Sequence, residues 1–271
     1  MKPEVSICIP IVYGNHIRES LQSIFSSHYQ DYEVVVNDST DLFFASDTLS
    51  EYDVKIIKKK TMSFESRYLT IRESKGNKIL LFDETRIMSA NLLGILNSIK
   101  NEMVVIGERD IGKGLITFLS NLDKRNVADN PKSLNPSKNK SIIPRFYSRE
   151  VILEAMNEIS KHITDEIIRN IVGLDLELIY FESYKISQSI GVIPTPEILH
   201  YGDSDFNDVF RKYFRYGRSQ KILRNSYYKD FAGLSGRNRA NASPKDWAMS
   251  LPVQIMRGIP FLFGYLSASG D

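Results

Sequence analysis

Asp83, Glu84 and Thr85 follow directly on a run of large apolar residues, Ile79-Leu80-Leu81-Phe82. Four such residues are too few for most helices and suit a strand covered on both faces. Carboxylates placed where such a strand ends lie at the carboxyl edge of a sheet, where open α/β sheets bind ligands. Two readings follow. In one, Asp83 and Glu84 hold a divalent cation that offsets the charge of a diphosphate. In the other, they form a polar turn leaving a core strand. Further candidates are Asp38 after the run Val34-Val35-Val36, His200 after Ile198-Leu199, and the carboxylates Asp175 and Glu177. Between Val209 and Lys229 no acidic residue occurs, while Arg211, Lys212, Arg215, Arg218, Lys221, Arg224 and Lys229 recur. On a helix Arg211, Arg215 and Arg218 share one face, and Phe210, Tyr213 and Phe214 another.

The elements that must position these groups alternate. Val5 to Ile9, Tyr32 to Val36, Val54 to Ile57, Ile79 to Phe82 and Met103 to Ile106 read as strands. Helical patterns separate most of them, with Ile17, Leu21, Ile24 and Phe25 on one face, then Phe64 to Ser74, then Leu92, Leu93, Leu96 and Ile99. Asn15, Ser89 and Ser148 stand where helix caps are expected. This order implies an α/β fold with a mainly parallel sheet flanked by helices. Gly114 to Leu122 reads as a helix. Lys124 to Ser141, rich in Asn, Pro, Lys and Ser, reads as a mobile loop, either an active-site lid or a surface insertion. Thr164 to Lys185 reads as one or two helices. Gly191 to Ile193 and Ile198 to Tyr201 read as two short strands. Residues 1–205 are expected to form the nucleotide-binding and catalytic domain, and residues 206–271 a basic, aromatic, amphipathic helical extension.

A chain of 271 residues can bury a large core. Its 35 basic and 33 acidic residues leave a net charge of +2, so nothing global indicates a nucleic-acid partner. The single cysteine, Cys8, excludes an internal disulfide and fits a reducing compartment. The short apolar run near the start does not read as a secretory signal. No uninterrupted apolar run has bilayer-spanning length.

Three blocks, in order, resemble the family 2 glycosyltransferases, inverting enzymes with a GT-A fold, in a subgroup that works at membranes. VSICIP resembles their opening strand, YEVVVNDSTD the second strand and its acidic turn, and KGNKILLFDET the segment carrying the DXD motif. SFESRYLTI resembles the stretch that supplies an Arg, here Arg67. His200-Tyr201 resembles the end of the last strand, and RKYFRYGRS a basic-aromatic helix that follows it. The resemblance covers about residues 5–219.

The resemblance implies a Rossmann-like GT-A fold and transfer of a sugar from a UDP- or GDP-linked donor to a lipid-linked or glycan acceptor. It implies that Asp38 binds base or ribose, that Pro10 and Ile11 line the base pocket, and that Asp83 and Glu84 face the diphosphate. Arg67 would bind phosphate directly, as would Arg215 and Arg218 on the basic helix. Manganese or magnesium would be held by Asp83, Glu84 and His200, the histidine nitrogen favouring manganese. Thr85 departs from the pattern, since the family's third acidic position here carries a neutral hydroxyl. The family's general base is an Asp in a Glu-Asp pair. The matching segment offers Asp175 first and Glu177 second, without an intact pair, and Asp165-Glu166 is a true acidic pair nearby. Arg145 matches the acceptor side of the cleft. The C-terminal segment suits either a core helix pair or peripheral attachment to the cytoplasmic side of a membrane, where Pro252 and Pro260 would divide it into short in-plane helices and Trp247, Phe261, Phe263 and Tyr265 would dip in. A homo-oligomer is compatible with the sequence. A second reading is a catalytically impaired module that binds nucleotide sugar or lipid as a scaffold subunit. A third, a nucleotidyltransferase, would want a Gly-rich phosphate loop after the first strand, where only Gly14 is found.

Overall fold

A computed structural model describes residues 2–43, 45–112, 114–128, 134–137, 142–203, 205–233 and 244–268. The chain begins with β1 (Val5–Ile11), α1 (Ile17–Phe25), β2 (Tyr32–Asp38), a 3-10 turn, α2 (Ser46–Leu49) and β3 (Lys55–Lys58). It continues through α3 (Ser63–Glu73), β4 (Lys78–Leu81), β5 (Arg86–Met88), α4 (Leu92–Ser98), β6 (Met103–Ile111) and α5 (Leu115–Ala128). Then come β7 (Phe146–Ser148), α6 (Arg149–His162), α7 (Asp165–Asn170), α8 (Asp175–Ile186) and β8 (Ile190–Tyr201). It closes with α9 (Phe206–Arg224), α10 (Lys229–Gly233) and α11 (Pro244–Ser267).

The strands form one eight-stranded sheet in the order β3-β2-β1-β4-β7-β6-β8-β5. The half around β1 is parallel. Strand β7 runs antiparallel to β4 and β6, β5 runs antiparallel to β8, and β6 and β8 are parallel. All seven residues of β1 are buried, as expected for a central strand covered on both faces. The period of two sorts its side chains. Val5, Ile7, Ile9 and Ile11 join Leu80 and Phe82 in one core layer, which packs α1 and α4. Cys8 joins Ile79, Leu81, Met103 and Tyr147 in the other, which packs α3, α6 and α8. Burial pushes the Cys8 thiol up to about 12, so it behaves as a small apolar side chain rather than a nucleophile.

Several expectations are revised. The two short strands at 190–201 are one strand, β8, with register shifts beside Gly107 on β6. A Cβ at Gly107 would overlap the Thr195 carbonyl oxygen, so the irregular pairing needs glycine there. Helix α5 extends to Ala128, into the segment expected as loop; residues 129–133 and 138–141 of that segment lie outside the described residues. The helical stretch 164–185 is two helices separated by Gly173. None of the three expected caps closes its helix. His16 and Asn91 occupy the first two cap positions, and Ser148 sits at the third without a side-chain cap bond.

The C-terminal segment departs most. Pro252 and Pro260 lie inside a single helix, α11, rather than dividing it. Its docking on α9 accounts for this: Arg257 stacks on Tyr213, Lys221 stacks on Tyr265, and the Arg224 guanidinium donates to the Tyr265 hydroxyl at 2.9 Å. Backbones touch at two glycines. A Cβ at Gly217 would overlap the Phe261 carbonyl oxygen, and one at Gly264 that of Phe214. Tertiary packing of this kind outweighs the local cost of proline. The side chain of Trp247 lies outside what is described. Substituting Gly217→Val is expected to force the helices apart, cost about 2 kcal/mol and lower Tm by about 3–8 °C. A calorimetric Tm unchanged from wild type would contradict this packing.

Candidate functional site

Asp83 leaves the carboxyl end of β4 in the middle of the sheet, and three arginines from three elements converge on it. From α3, Arg67 NH2 donates to Asp83 Oδ1 at 2.7 Å. From β5, Arg86 NH1 donates to Asp83 Oδ2. From the residue before β7, Arg145 NH1 reaches the same oxygen at 3.3 Å and borders the Leu81 carbonyl. Glu108 on β6 takes the other ends of two of them: Arg86 Nε donates to it at 3.2 Å, and Arg145 Nε also donates to it. Asp83 and Glu108 are thus bridged by two guanidiniums.

Arg67 uses every nitrogen of its guanidinium. Besides Asp83, its Nε donates to Asp175 Oδ2 at 2.7 Å and its NH1 to the Phe82 carbonyl at 3.3 Å. The side chains of Arg67 and Asp175 are only 5% and 7% exposed, so neither charge has water as an alternative partner. Asp175 is the first residue of α8, where the unsatisfied N–H groups of a helix favour an anion. The turn before it is set by Gly173, whose φ of +83° favours glycine and whose missing Cβ makes room for the Tyr216 ring. Glu177 lies one half-turn further on and is half-buried. Burial, and then the nearby carboxylates of Glu177 and Asp175, push the Tyr216 phenol above its ordinary range. Burial and the neighbouring Arg145 pull Arg86 down to about 10, against the opposing pull of Glu108.

Glu84, expected beside Asp83 at the diphosphate, is buried and accepts three backbone N–H groups of the loop after β1. Val12 and Tyr13 donate to Oε1 at 3.2 and 3.0 Å, and Gly14 to Oε2. Desolvation raises its carboxyl pKa, and these three bonds oppose the rise. The physical reason for the departure is that a loop distant in sequence, with three inward N–H groups, needs an acceptor. His200 is not found with Asp83 among the described contacts. Its Nδ1 lies 2.6 Å from Asp110 Oδ1, and Ser120 donates to the other oxygen of Asp110 at 2.6 Å. Arg257 of α11 donates to the Ser120 hydroxyl at 3.1 Å, which ties the last helix to this edge of the sheet. His200 pairs in register with Arg86, so the two arrays are neighbours on one face.

Pro10 and Ile11 are buried at the carboxyl end of β1, in register with Asn37 and Asp38. Asp38 Oδ1 accepts the Thr40 N–H at 3.0 Å and its hydroxyl at 2.5 Å, an Asx turn that shapes the loop after β2. Thr85 carries its carbonyl to the Tyr201 N–H at 2.8 Å. Arg215 of α9 donates to the Tyr13 hydroxyl at 2.6 Å, so the basic helix reaches the loop that Glu84 holds. Arg218 is exposed and lies outside this network. Ser219 exchanges hydrogen bonds with the Val172 backbone at 2.9 and 3.0 Å, docking α9 beside the turn into α8.

The structure therefore gathers Arg67, Asp83, Arg145 and Asp175 and keeps Glu84 and His200 on separate duties. Arg86 and Glu108 join the cluster without having been singled out. Arg86 stands three residues after Asp83, a spacing that could have flagged it; Glu108 carried no local signal. Among the described residues no three His, Cys, Asp or Glu side chains are grouped as a metal site. Planar guanidiniums at the carboxyl edge of a sheet suit an oxyanion such as phosphate, which they can bind in a bidentate way.

No family model matches the chain, and no curated protein matches it either. Solved structures do. S. aureus TarS 1–349 is 14% identical, with a TM-score of 0.56 over 98% of this chain and 81% of that one. The same protein in complex with UDP-GlcNAc is 11% identical, with a TM-score of 0.57 over 92% and 79%. The mannosyltransferase PcManGT from Pyrobaculum calidifontis, in complex with GDP-Man and Mn2+, is 14% identical, with a TM-score of 0.53 over 99% and 86%. At these identities the likeness is one of fold, and the mixed α/β sheet flanked by helices is the fold of these nucleotide-sugar complexes.

Proposed function

We propose that the chain is a glycosyltransferase that takes a sugar from a UDP- or GDP-linked donor with inversion and passes it to a lipid-linked or glycan acceptor. The observation that carries this reading is the buried Arg67 bridge between Asp83 and Asp175 at the carboxyl edge of β4. A fold shared with structures bound to UDP-GlcNAc and GDP-Man supports it. The nucleoside would lie over the ends of β1 and β2, by Pro10, Ile11 and Asp38, and the diphosphate at the arginines. Asp175 acts as general base: it accepts the proton of the acceptor hydroxyl as that oxygen attacks the anomeric carbon. The bond from that carbon to the diphosphate breaks with its electron pair, and the nucleoside diphosphate leaves. Arg67 engages one oxygen of Asp175 and so orients the carboxylate. Glu177 stands beside it as the second candidate.

We further propose that residues 206–271 hold the chain against the cytoplasmic face of a membrane, as a peripheral protein. Leu251, Ile255, Ile259, Leu262 and Leu266 recur at helical spacing on α11, and each is exposed. Phe263 adds to this stripe at 59% exposure, and Arg211 and Arg218 on α9 are exposed cations. An apolar stripe with nearby basic side chains suits an anionic bilayer surface. No described helix is long and apolar enough to cross a membrane.

The scaffold reading draws on Thr85 at the third acidic position and on the incomplete Glu-Asp pair. Turnover separates the two. With a donor that binds, Asp175→Asn is expected to lower kcat by about 10²–10⁴-fold in a released-nucleotide assay while leaving donor affinity within a few-fold. Turnover equal to wild type would remove Asp175 from the reaction, and donor binding with no turnover in the wild type would favour the scaffold. The membrane reading is checked by flotation with phosphatidylglycerol-containing vesicles. The full chain is expected to float, and the double substitution Ile255→Glu with Leu262→Glu to stay in the dense fraction; equal recovery of both would contradict it.

A further inference from the structure

We propose that the donor diphosphate is neutralised at this site by the guanidiniums of Arg86 and Arg145, and not by a divalent cation; this rests on the donor-binding reading above. The donors expected for a metal do not fit one. A hard dication needs carboxylate oxygens close to it and several further oxygen ligands around it. Both oxygens of Asp83 are already engaged, Oδ1 by Arg67 and Oδ2 by Arg86 and Arg145. A dication in contact with Asp83 would have to displace guanidiniums that already occupy both of its oxygens and that are held in turn by Glu108 and Asp175. Glu84 is turned to the N–H groups of Val12, Tyr13 and Gly14 and serves the loop. Among the described residues no three His, Cys, Asp or Glu side chains group around Asp83 as a ligand set, and Thr85 offers only a neutral hydroxyl.

The same arrangement suits an anion. A guanidinium carries five N–H donors in a fixed fork, and each carboxylate here takes only part of that set. Arg145 gives Nε to Glu108 and NH1 to Asp83. Arg86 is fixed at both ends by Asp83 and Glu108. The carboxylates thus act as positioning residues, which hold two planar cations at the mouth of β4 before any ligand arrives. Such preorganised charge can do what a cation does for a leaving diphosphate, since it needs no reorganisation when negative charge develops. Arg145 is accordingly assigned to the donor rather than to an acidic group on the acceptor.

The test is calorimetric titration of the full chain with UDP and with GDP, each in EDTA and each in excess MnCl2. For the nucleotide that binds, the dissociation constant is expected to agree within about two-fold between the two conditions. Arg86→Gln and Arg145→Gln, checked for folding by circular dichroism, are each expected to weaken binding in EDTA by about ten-fold or more. A gain in affinity above ten-fold with manganese that disappears in Asp83→Asn would overturn the proposal while leaving the donor reading intact. Unchanged affinity in both folded arginine variants would also overturn it. Failure of UDP and GDP to bind in either condition would instead overturn the donor reading, and this proposal with it.

Discussion

Arg67 is the side chain on which the rest of the site depends. It is buried and bonded at once to Asp83 after β4, to Asp175 at the start of α8, and to the Phe82 carbonyl between them. Such an ion ties its partners to one geometry, because removing a single member leaves an uncompensated charge away from water, which costs several kcal/mol in typical cases, on the order of 3–5. That one residue therefore joins the end of the central sheet to the helix that carries the candidate base. The packing on either side makes the anchor rigid: α3 contributes Phe64 and Ile71 to the same core layer that receives Leu176, Ile179 and Tyr180 from α8.

Around this anchor the chain arranges its other polar groups by satisfying its own backbone. Glu84 takes three N–H groups of the loop after β1, and Tyr13 of that loop meets Arg215 of α9. Helix α9 in turn rests on the Val172–Gly173 turn through Ser219 and Tyr216. The extension beyond β8 is thus continuous with the site. Through Gly217 and Gly264 the packing runs on to α11, whose outer apolar stripe is exposed.

Much of the sheet was legible in the sequence because β1, β2 and β4 are buried on both faces and so read as unbroken apolar runs. The placement of Asp83 and Asp38 at strand ends was read by the same logic, as the first carboxylates past the end of such a run. What escaped is long-range. Glu108 meets Arg86 and Arg145 across separations of 22 and 37 residues, and no local pattern announces that pairing. The bonds of Glu84 to three inward N–H groups were not legible because they belong to a loop some 70 residues earlier. Proline misled at α11, where contact with α9 and not local propensity decides that the helix continues. The single long strand β8 was read as two because Pro194 and Pro196 interrupt the apolar pattern at the irregular pairing with β6.

The central claim is that the arginines gathered on Asp83 and Glu108 form the seat of a nucleoside diphosphate. A crystal structure of the full chain with the nucleoside diphosphate that binds it would test this most directly. The account predicts phosphate oxygens within hydrogen-bonding distance, about 2.7–3.2 Å, of the Arg86 or Arg145 guanidinium, with the Arg67 bridge intact. A diphosphate bound elsewhere on the molecule, or one held through a cation on Asp83 with the arginines turned away, would contradict it.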